Sequence, residues 1–202
     1  RRKVMSAADA AALSPPGATV GMRGFTGAGY PVQVPQALAA RMQAERAAGR
    51  PFQIDLWTGA STAPELDGAL AQADGLRRRL PFQSDPLCRE RINAGAIDYV
   101  DIHLSHVAQH AWFGFLGRMQ VAVVEVLGIL PDGRLIPSAA VGNNKTWLEI
   151  ADKVILEVNS LPPIEMEGMH DIYGTAIPPR RQPIHLTQAT ERIGEPYLRV
   201  DP

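Results

Sequence analysis

Small, hydroxyl and amide residues recur where this chain has just left an apolar run. Gly24-Phe25-Thr26-Gly27-Ala28-Gly29, Thr58-Gly59-Ala60-Ser61, Gly142-Asn143-Asn144 and Asn159-Ser160 all sit at such places. Glycines bring backbone N–H groups close to a ligand, and the hydroxyls and amides add donors and acceptors. Brought together at one edge of a sheet, these residues would line a cleft. Taken singly, each glycine also reads as a tight turn.

Other groups suggest more specific chemistry. His103, His106 and His110 in HLSHVAQH would share a face of a continuous helix, with Asp101 nearby. Ser105 reads as a helix cap that leaves His103 outside, so no metal site is assigned. Gly24 to Gly29 has the glycine spacing of a dinucleotide fingerprint in reverse, and no suitable acidic residue closes the next strand. Gly59-Ala60-Ser61-Thr62-Ala63 resembles a nucleophile elbow, with Ala63 in place of its second glycine. Arg77-Arg78-Arg79 could grip a phosphate; the preferred reading is a solvated strand edge. Glu125 and Glu157 fall within strands and read as structural acids.

The elements that must position these residues alternate between strand and helix. Ser6 caps a short helix through Leu13, and SPPG (Ser14 to Gly17) separates it from a strand at Ala18 to Met22. Pro35 marks the first turn of a helix with Val34, Leu38 and Met42 on one stripe, and Gly49 stops it. Strands are predicted at Phe52 to Trp57, within Leu76 to Pro86, at Ile97 to Ile102 and at Tyr197 to Val200. Helices are predicted at Glu65 to Ala73, Leu87 to Asn93, Val107 to Leu116 and Lys145 to Ala151. VAVVEV (Val121 to Val126) and KVILEV (Lys153 to Val158) are nearly continuous apolar runs, as in parallel strands covered on both faces. A hairpin is predicted around Pro131-Asp132-Gly133. The pattern predicts an α/β domain with a mostly parallel sheet flanked by helices, and an irregular excursion from about Pro162 to Pro183.

Composition narrows the function classes. The 202 residues are 46% hydrophobic and 20% charged, enough to bury a core as one domain. Twenty Lys+Arg against 21 Asp+Glu give a net charge of -1, which offers no global attraction for nucleic acid or an anionic membrane. A single cysteine, Cys88, excludes an internal disulfide and a cysteine-built zinc site. No apolar run approaches the roughly 20 residues that span a bilayer, and the charged N-terminal segment is unlike a signal peptide. A soluble, cytoplasmic protein is the expectation. The absence of an initiating methionine and the stop at YLRVDP read as a fragment of a longer chain.

GFTGAGYP, WTGASTAPELDGALA, LPFQSDPLCRERINAG, IDYVDIHLSHVA, LIPSAAVGNNKTWLEIADKVILEVNS, EGMHDIYG and RIGEPYLRVDP together resemble the amino-terminal half of the acetyl-CoA hydrolase/transferase family, which includes succinyl-CoA:acetate CoA-transferases. The resemblance covers Gly24 to Pro202, and VGNNKTW is its most specific block. It implies that residues 1–202 form an amino-terminal CoA-transferase-like layered domain, one of two related domains with the active site between them. Family chemistry uses a glutamate carboxylate as nucleophile on an acyl-CoA thioester. A mixed anhydride forms, CoA thiolate returns to give a glutamyl thioester, and a carboxylate or water completes the exchange.

The resemblance places that glutamate in the half beyond Pro202, so no catalytic residue is assigned here and the isolated chain is expected to be inactive. Gly24, Phe25, Thr26, Gly27 and Gly29 would form part of the wall facing the acyl-CoA. Gly59, Ala60 and Ser61, together with Ser84, would supply small residues and hydroxyls near the acyl or carboxylate group. Gly142, Asn143 and Asn144 belong to the diagnostic block, and either touch substrate or shape the interface. The implied partners are acyl-CoA, small carboxylates such as acetate or succinate, the missing carboxyl-terminal domain and a second copy in a homodimer. Coenzyme A serves as substrate or product, and no cofactor is implied. The alternative is a stand-alone α/β module that binds an anion or small molecule without catalysis.

Overall fold

Apolar strands need cover on both faces, and helices on each side of one sheet supply it. The computed structural model describes residues 4–174, 176 and 179–200. The elements run α1 (Ala7–Ala11), β1 (Thr19–Met22), α2 (Gln33–Ala47), β2 (Ile54–Trp57), a π-helical turn (Pro64–Gly68) leading into α3 (Ala69–Gln72), β3 (Leu76–Leu80) and α4 (Pro86–Asn93). There follow β4 (Asp98–Tyr99), α5 (Leu104–Trp112), β5 (Val121–Ile129), β6 (Arg134–Pro137), α6 (Asn144–Ile150), β7 (Lys153–Val158), a 3-10 turn (Ile164–Met166) and β8 (Leu198–Arg199).

The strands form one sheet in the order β4-β3-β2-β1-β5-β6-β8, with β7 also paired to β5. Ladders β1–β2, β1–β5, β2–β3, β3–β4 and β5–β7 are parallel; β5–β6 and β6–β8 are antiparallel. This is the α/β class with a mostly parallel sheet that the alternation predicts. From β1 the chain winds outward through β2, β3 and β4, then returns to lay β5 on the other flank of β1. The reversal makes β1/β5 a topological switch point, outside whose carboxyl ends a crevice opens in such sheets.

Successive side chains of β5 serve opposite faces. Val121 and Val123 join Leu38, Met42, Leu66, Leu70 and Cys88 in the core beneath α2, α3 and α4. Ala122 packs on the other face with Trp57, Val107 and Trp147, beneath α5 and α6. Val124 and Val126 extend that face with Leu148 and Leu198.

Several boundaries differ from the sequence reading. Helix α2 starts at Gln33, ahead of Pro35, because the Glu157 carboxylate accepts the N–H groups of Val32, Gln33 and Val34 at 2.7, 3.0 and 2.9 Å. An anion there satisfies orphan amides and complements the helix dipole. Helix α5 spans Leu104–Trp112, and the left-handed Gly114 and Gly117 follow it where the helix was expected to continue. Strand β4 has only two residues, and β5 runs through to Ile129 before the Pro131-Asp132-Gly133 turn. The excursion near 162–183 contains the 3-10 turn and a bridge from Ile172 to Glu195, while residues 175, 177 and 178 lie outside the described set.

The arginine run is not a solvated edge along its length. Arg77 is exposed and forks onto Asp55 at 2.7 and 2.8 Å. Arg79 is fully buried and forks onto the equally buried Asp67 at 2.7 and 2.9 Å. Its remaining donors reach the carbonyls of Leu80 and Phe82, and Thr62 donates to Asp67 through N–H and hydroxyl. Burial acts to raise the Asp67 pKa, but Arg79 and Thr62 outweigh it and hold the carboxyl below its ordinary value.

Candidate functional site

Three of the small-residue segments meet at the carboxyl end of β1. The first is a tight turn in which Phe25 and Ala28 exchange N–H···O bonds at 2.9 and 3.1 Å. Its two central residues, Thr26 and Gly27, have φ of 47° and 84°, the signs of a type I′ turn. A β-branched residue is strained there. Thr26 is held by donating its N–H to the Ser61 carbonyl at 2.9 Å, which ties this turn to the segment after β2. The third segment closes on the other side: a Cβ on Gly29 would lie 2.5 Å from the Ala140 nitrogen.

Arg23 lies where the three converge, in the stretch between β1 and Phe25. It is 6% exposed. A Cβ on Gly59 would stand 2.3 Å from its Nε, and one on Gly142 would stand 1.4 Å from its Cζ. The guanidinium therefore takes up the space that a side chain at Gly59 or Gly142 would need, and Gly142 has φ of 40° besides. Its Nε is sealed from solvent without a hydrogen-bond partner. Burial pushes the Arg23 pKa down to about 10, so the side chain remains a cation at neutral pH.

Further unpartnered polar atoms lie along the segment that closes the site. They include Ser138 Oγ, Asn143 Nδ2, both amide atoms of the fully buried Asn144 and the indole nitrogen of Trp147; the indole nitrogen of Trp57, at the end of β2, is unpartnered as well. The two indoles pack with centroids 6.1 Å apart. Buried polar groups are ordinarily satisfied, so a concentration of unsatisfied ones needs an explanation.

The remaining candidates sit apart from this convergence. Ala60 and Ser61 are buried beside it, whereas Ser84 is exposed on the loop after β3, and no hydrogen bond links it to the other segments among the described residues. Asn159 donates to Glu125 at 2.7 Å, and Glu157 caps α2, giving both strand glutamates structural partners. Tyr30 donates to Glu65 at 3.0 Å; burial first, then that carboxylate, raises the phenol to about 12. His103, His106 and His110 form a ladder of rings 5.4 and 6.1 Å apart, and among the described residues no His/Cys/Asp/Glu group is arranged to hold a metal. No described helix is long and apolar enough to cross a membrane. Two hollows of about 430 and 420 Å³ lie elsewhere, one between α6 and the segment around Tyr173 and Tyr197, the other beside Glu65 and Asp85.

Arg23 is the residue that the sequence reading passed over. Its signal was a lone charge closing the apolar Val20-Gly21-Met22 run, immediately before a glycine.

Residues 1–185 match the acetyl-CoA hydrolase/transferase N-terminal domain. The chain is 41% identical over 198 residues to a succinyl-CoA:acetate CoA-transferase of Clostridium kluyveri, covering 98% of this chain and 36% of that protein. It is 39% identical over 198 residues to a propanoyl-CoA:succinate CoA transferase of Escherichia coli, covering 98% and 40%. An acetyl-CoA hydrolase of Schizosaccharomyces pombe is 36% identical over 189 residues, with coverage of 91% and 36%. Thus the chain spans well under half the length of these relatives. Among solved structures, RipA from Yersinia pestis aligns with a TM-score of 0.60 at 16% identity, over 79% of this chain and 37% of that one. Glutaconate coenzyme A-transferase from Acidaminococcus fermentans aligns with a TM-score of 0.58 at 12% identity, over 77% and 68%. The layered fold is shared with both, and by sequence the chain belongs to the acetyl-CoA hydrolase/transferase family.

Proposed function

We propose that this chain is the amino-terminal domain of an acyl-CoA:carboxylate CoA-transferase or acetyl-CoA hydrolase, and that it forms one wall of the acyl-CoA/carboxylate site. The observation that carries this reading is the convergence of the Gly24–Gly29, Gly59–Ser61 and Ala140–Asn144 segments around Arg23. Gly27 at the tip of the first turn has open space beside it, while Thr26, Ser61 and the Asn143 and Asn144 amides are polar groups within the same segments. Asn144, Trp57 and Trp147 are fully buried, so their unpartnered atoms belong to the interior of this wall and not to its ligand-facing surface.

In this reading the nucleophilic glutamate lies beyond Pro202, and Glu125 and Glu157 remain structural. The domain holds and orients a thioester; the other half attacks it. Free-thiol release from acetyl-CoA, with and without succinate or acetate, tests this by comparing the chain with the full-length protein that carries it. Activity confined to the longer protein is expected. Activity in the chain alone would assign chemistry to a residue here and overturn the division of labour.

A further inference from the structure

We infer that Glu65 is a positioning residue for the site wall: through the Tyr30 hydroxyl it holds the Gly24–Gly29 turn in register with Ser61. The inference rests on the transferase reading above and adds to it a residue that acts through another and touches no substrate.

Its first support is a rigid mount. Glu65 sits on the π-helical turn Pro64–Gly68, a rare geometry that recurs at functional sites. Asp67, two residues on, is fully buried and accepts the Arg79 fork from β3 at 2.7 and 2.9 Å. It also accepts the N–H and the hydroxyl of Thr62 at 3.2 and 2.7 Å. The π-turn is therefore fixed both to the sheet and to the residue that follows Ser61.

The second support is a closed ring of contacts. Tyr30 follows Gly29 directly, and a Cβ on Gly24 would lie 2.5 Å from the Tyr30 Cβ, so this side chain packs against the base of the glycine turn. Its hydroxyl donates to Glu65 at 3.0 Å. Within the turn, Thr26 donates its N–H to the Ser61 carbonyl at 2.9 Å. The ring runs from Thr26 through Ser61, Thr62, Asp67, Glu65 and Tyr30, and back along the chain to Thr26. Opening it at Glu65 leaves the Thr26 N–H as the one hydrogen bond between the two segments among the described residues.

The third support is the strain on the turn. Thr26 is β-branched at φ of 47°, Phe25 is 53% exposed, and a Cβ on Gly27 would meet nothing within 4 Å. A strained turn at the surface keeps its shape only where its surroundings over-determine it. The Tyr30 phenol is a constant donor for that purpose, since burial first and then Glu65 push its pKa to about 12. Glu65 itself lines the hollow that Gln36, Gln72 and Asp85 share, away from the convergence on Arg23.

The test uses the full-length protein with acetyl-CoA as donor and succinate as acceptor. Glu65→Ala and Tyr30→Phe are each expected to lower kcat about ten- to hundredfold with KM for acetyl-CoA within about twofold, the mark of a misplaced wall rather than a lost binding contact. The double variant should be no slower than the slower single one, because both remove the same contact. Glu65→Gln should restore most of the rate, since an amide oxygen also accepts the phenol. Unchanged kcat with a lower melting temperature overturns the inference and leaves Glu65 as a brace of the fold. A Glu65→Gln variant as slow as Glu65→Ala overturns it too. Hydrogen exchange separates this inference from the reading beneath it: in Glu65→Ala the Gly24–Gly29 amides should exchange about tenfold faster than in wild type. Faster exchange in a protein whose wild type moves no acyl group would remove the transferase reading and keep the hold on the turn. Normal transfer with unchanged exchange would do the reverse.

Discussion

Among the described residues two arginines are buried, Arg79 within the sheet and Arg23 just past β1, and their surroundings are opposite. Arg79 on β3 is fully enclosed, with Asp67 on its fork and carbonyls on its other donors. Arg23 after β1 is nearly as enclosed, yet it packs against glycines and meets no carboxylate among the described residues. The pKa directions follow the same split. Burial acts downward on both arginines, but at Arg79 the neighbouring Asp67 outweighs it and the net shift is upward, whereas at Arg23 burial acts unopposed. A satisfied buried charge fixes a fold, and an unsatisfied one at a cleft is a candidate for binding.

Breaking the satisfied pair gives the largest expected effect. Asp67→Ala strands the Arg79 cation and should cost about 3–5 kcal/mol in a denaturant titration. The pair also predicts a pH dependence. The folded pKa of Asp67 lies below its unfolded value of about 3.9, so its contribution is complete above that pH and is lost as pH falls through the folded value. Asp67→Asn should therefore flatten the acid limb of a stability-against-pH curve. A curve parallel to wild type below pH 4 would show that other carboxylates dominate acid unfolding.

The sequence revealed the strands better than the charges. Val121 to Val126 was legible because a strand covered on both faces needs a continuous apolar run. Lys153 to Val158 was legible as a strand but is not covered on both faces: it pairs with β5 alone among the described strands, and only Ile155 is buried. The start of α2 was not legible, because its cap, Glu157, lies more than a hundred residues away in sequence. Arg77 and Arg79 look alike in a one-dimensional run, and only the pairing of Arg79 with Asp67 on the turn before α3 separates them. At the site, the glycines of the first and third segments were legible as small residues after strands. Their closure on Arg23 was not, since it depends on β6 carrying the chain back past the end of β1.

Gly142→Ala sharpens the other half of the comparison. The new methyl would overlap the Arg23 guanidinium, and at φ of 40° the backbone would be strained as well. A loss of about 1–2 kcal/mol is expected from the left-handed conformation. Displacing Arg23 should also lower acyl transfer by the full-length protein, and reduced stability with unchanged transfer would place Arg23 away from the ligand. Arg79 offers no such lever, because Asp67 holds it.

Ser61→Ala has the smallest expected effect on the fold. Its contact with the turn at Thr26 uses the Ser61 carbonyl, which the substitution retains, and its hydroxyl bonds to no described residue. Removing one oxygen opens no large cavity, so stability should stay within about 0.5 kcal/mol of wild type. If the hydroxyl meets the acyl or carboxylate group, acyl transfer by the full-length protein should fall about ten- to hundredfold, the worth of one hydrogen bond to a charged group. The loss should be shared by succinate and propanoate, because the hydroxyl would touch the part both acceptors have in common. Unchanged kinetics with a much lower melting temperature would instead make Ser61 a support of the Thr26 turn.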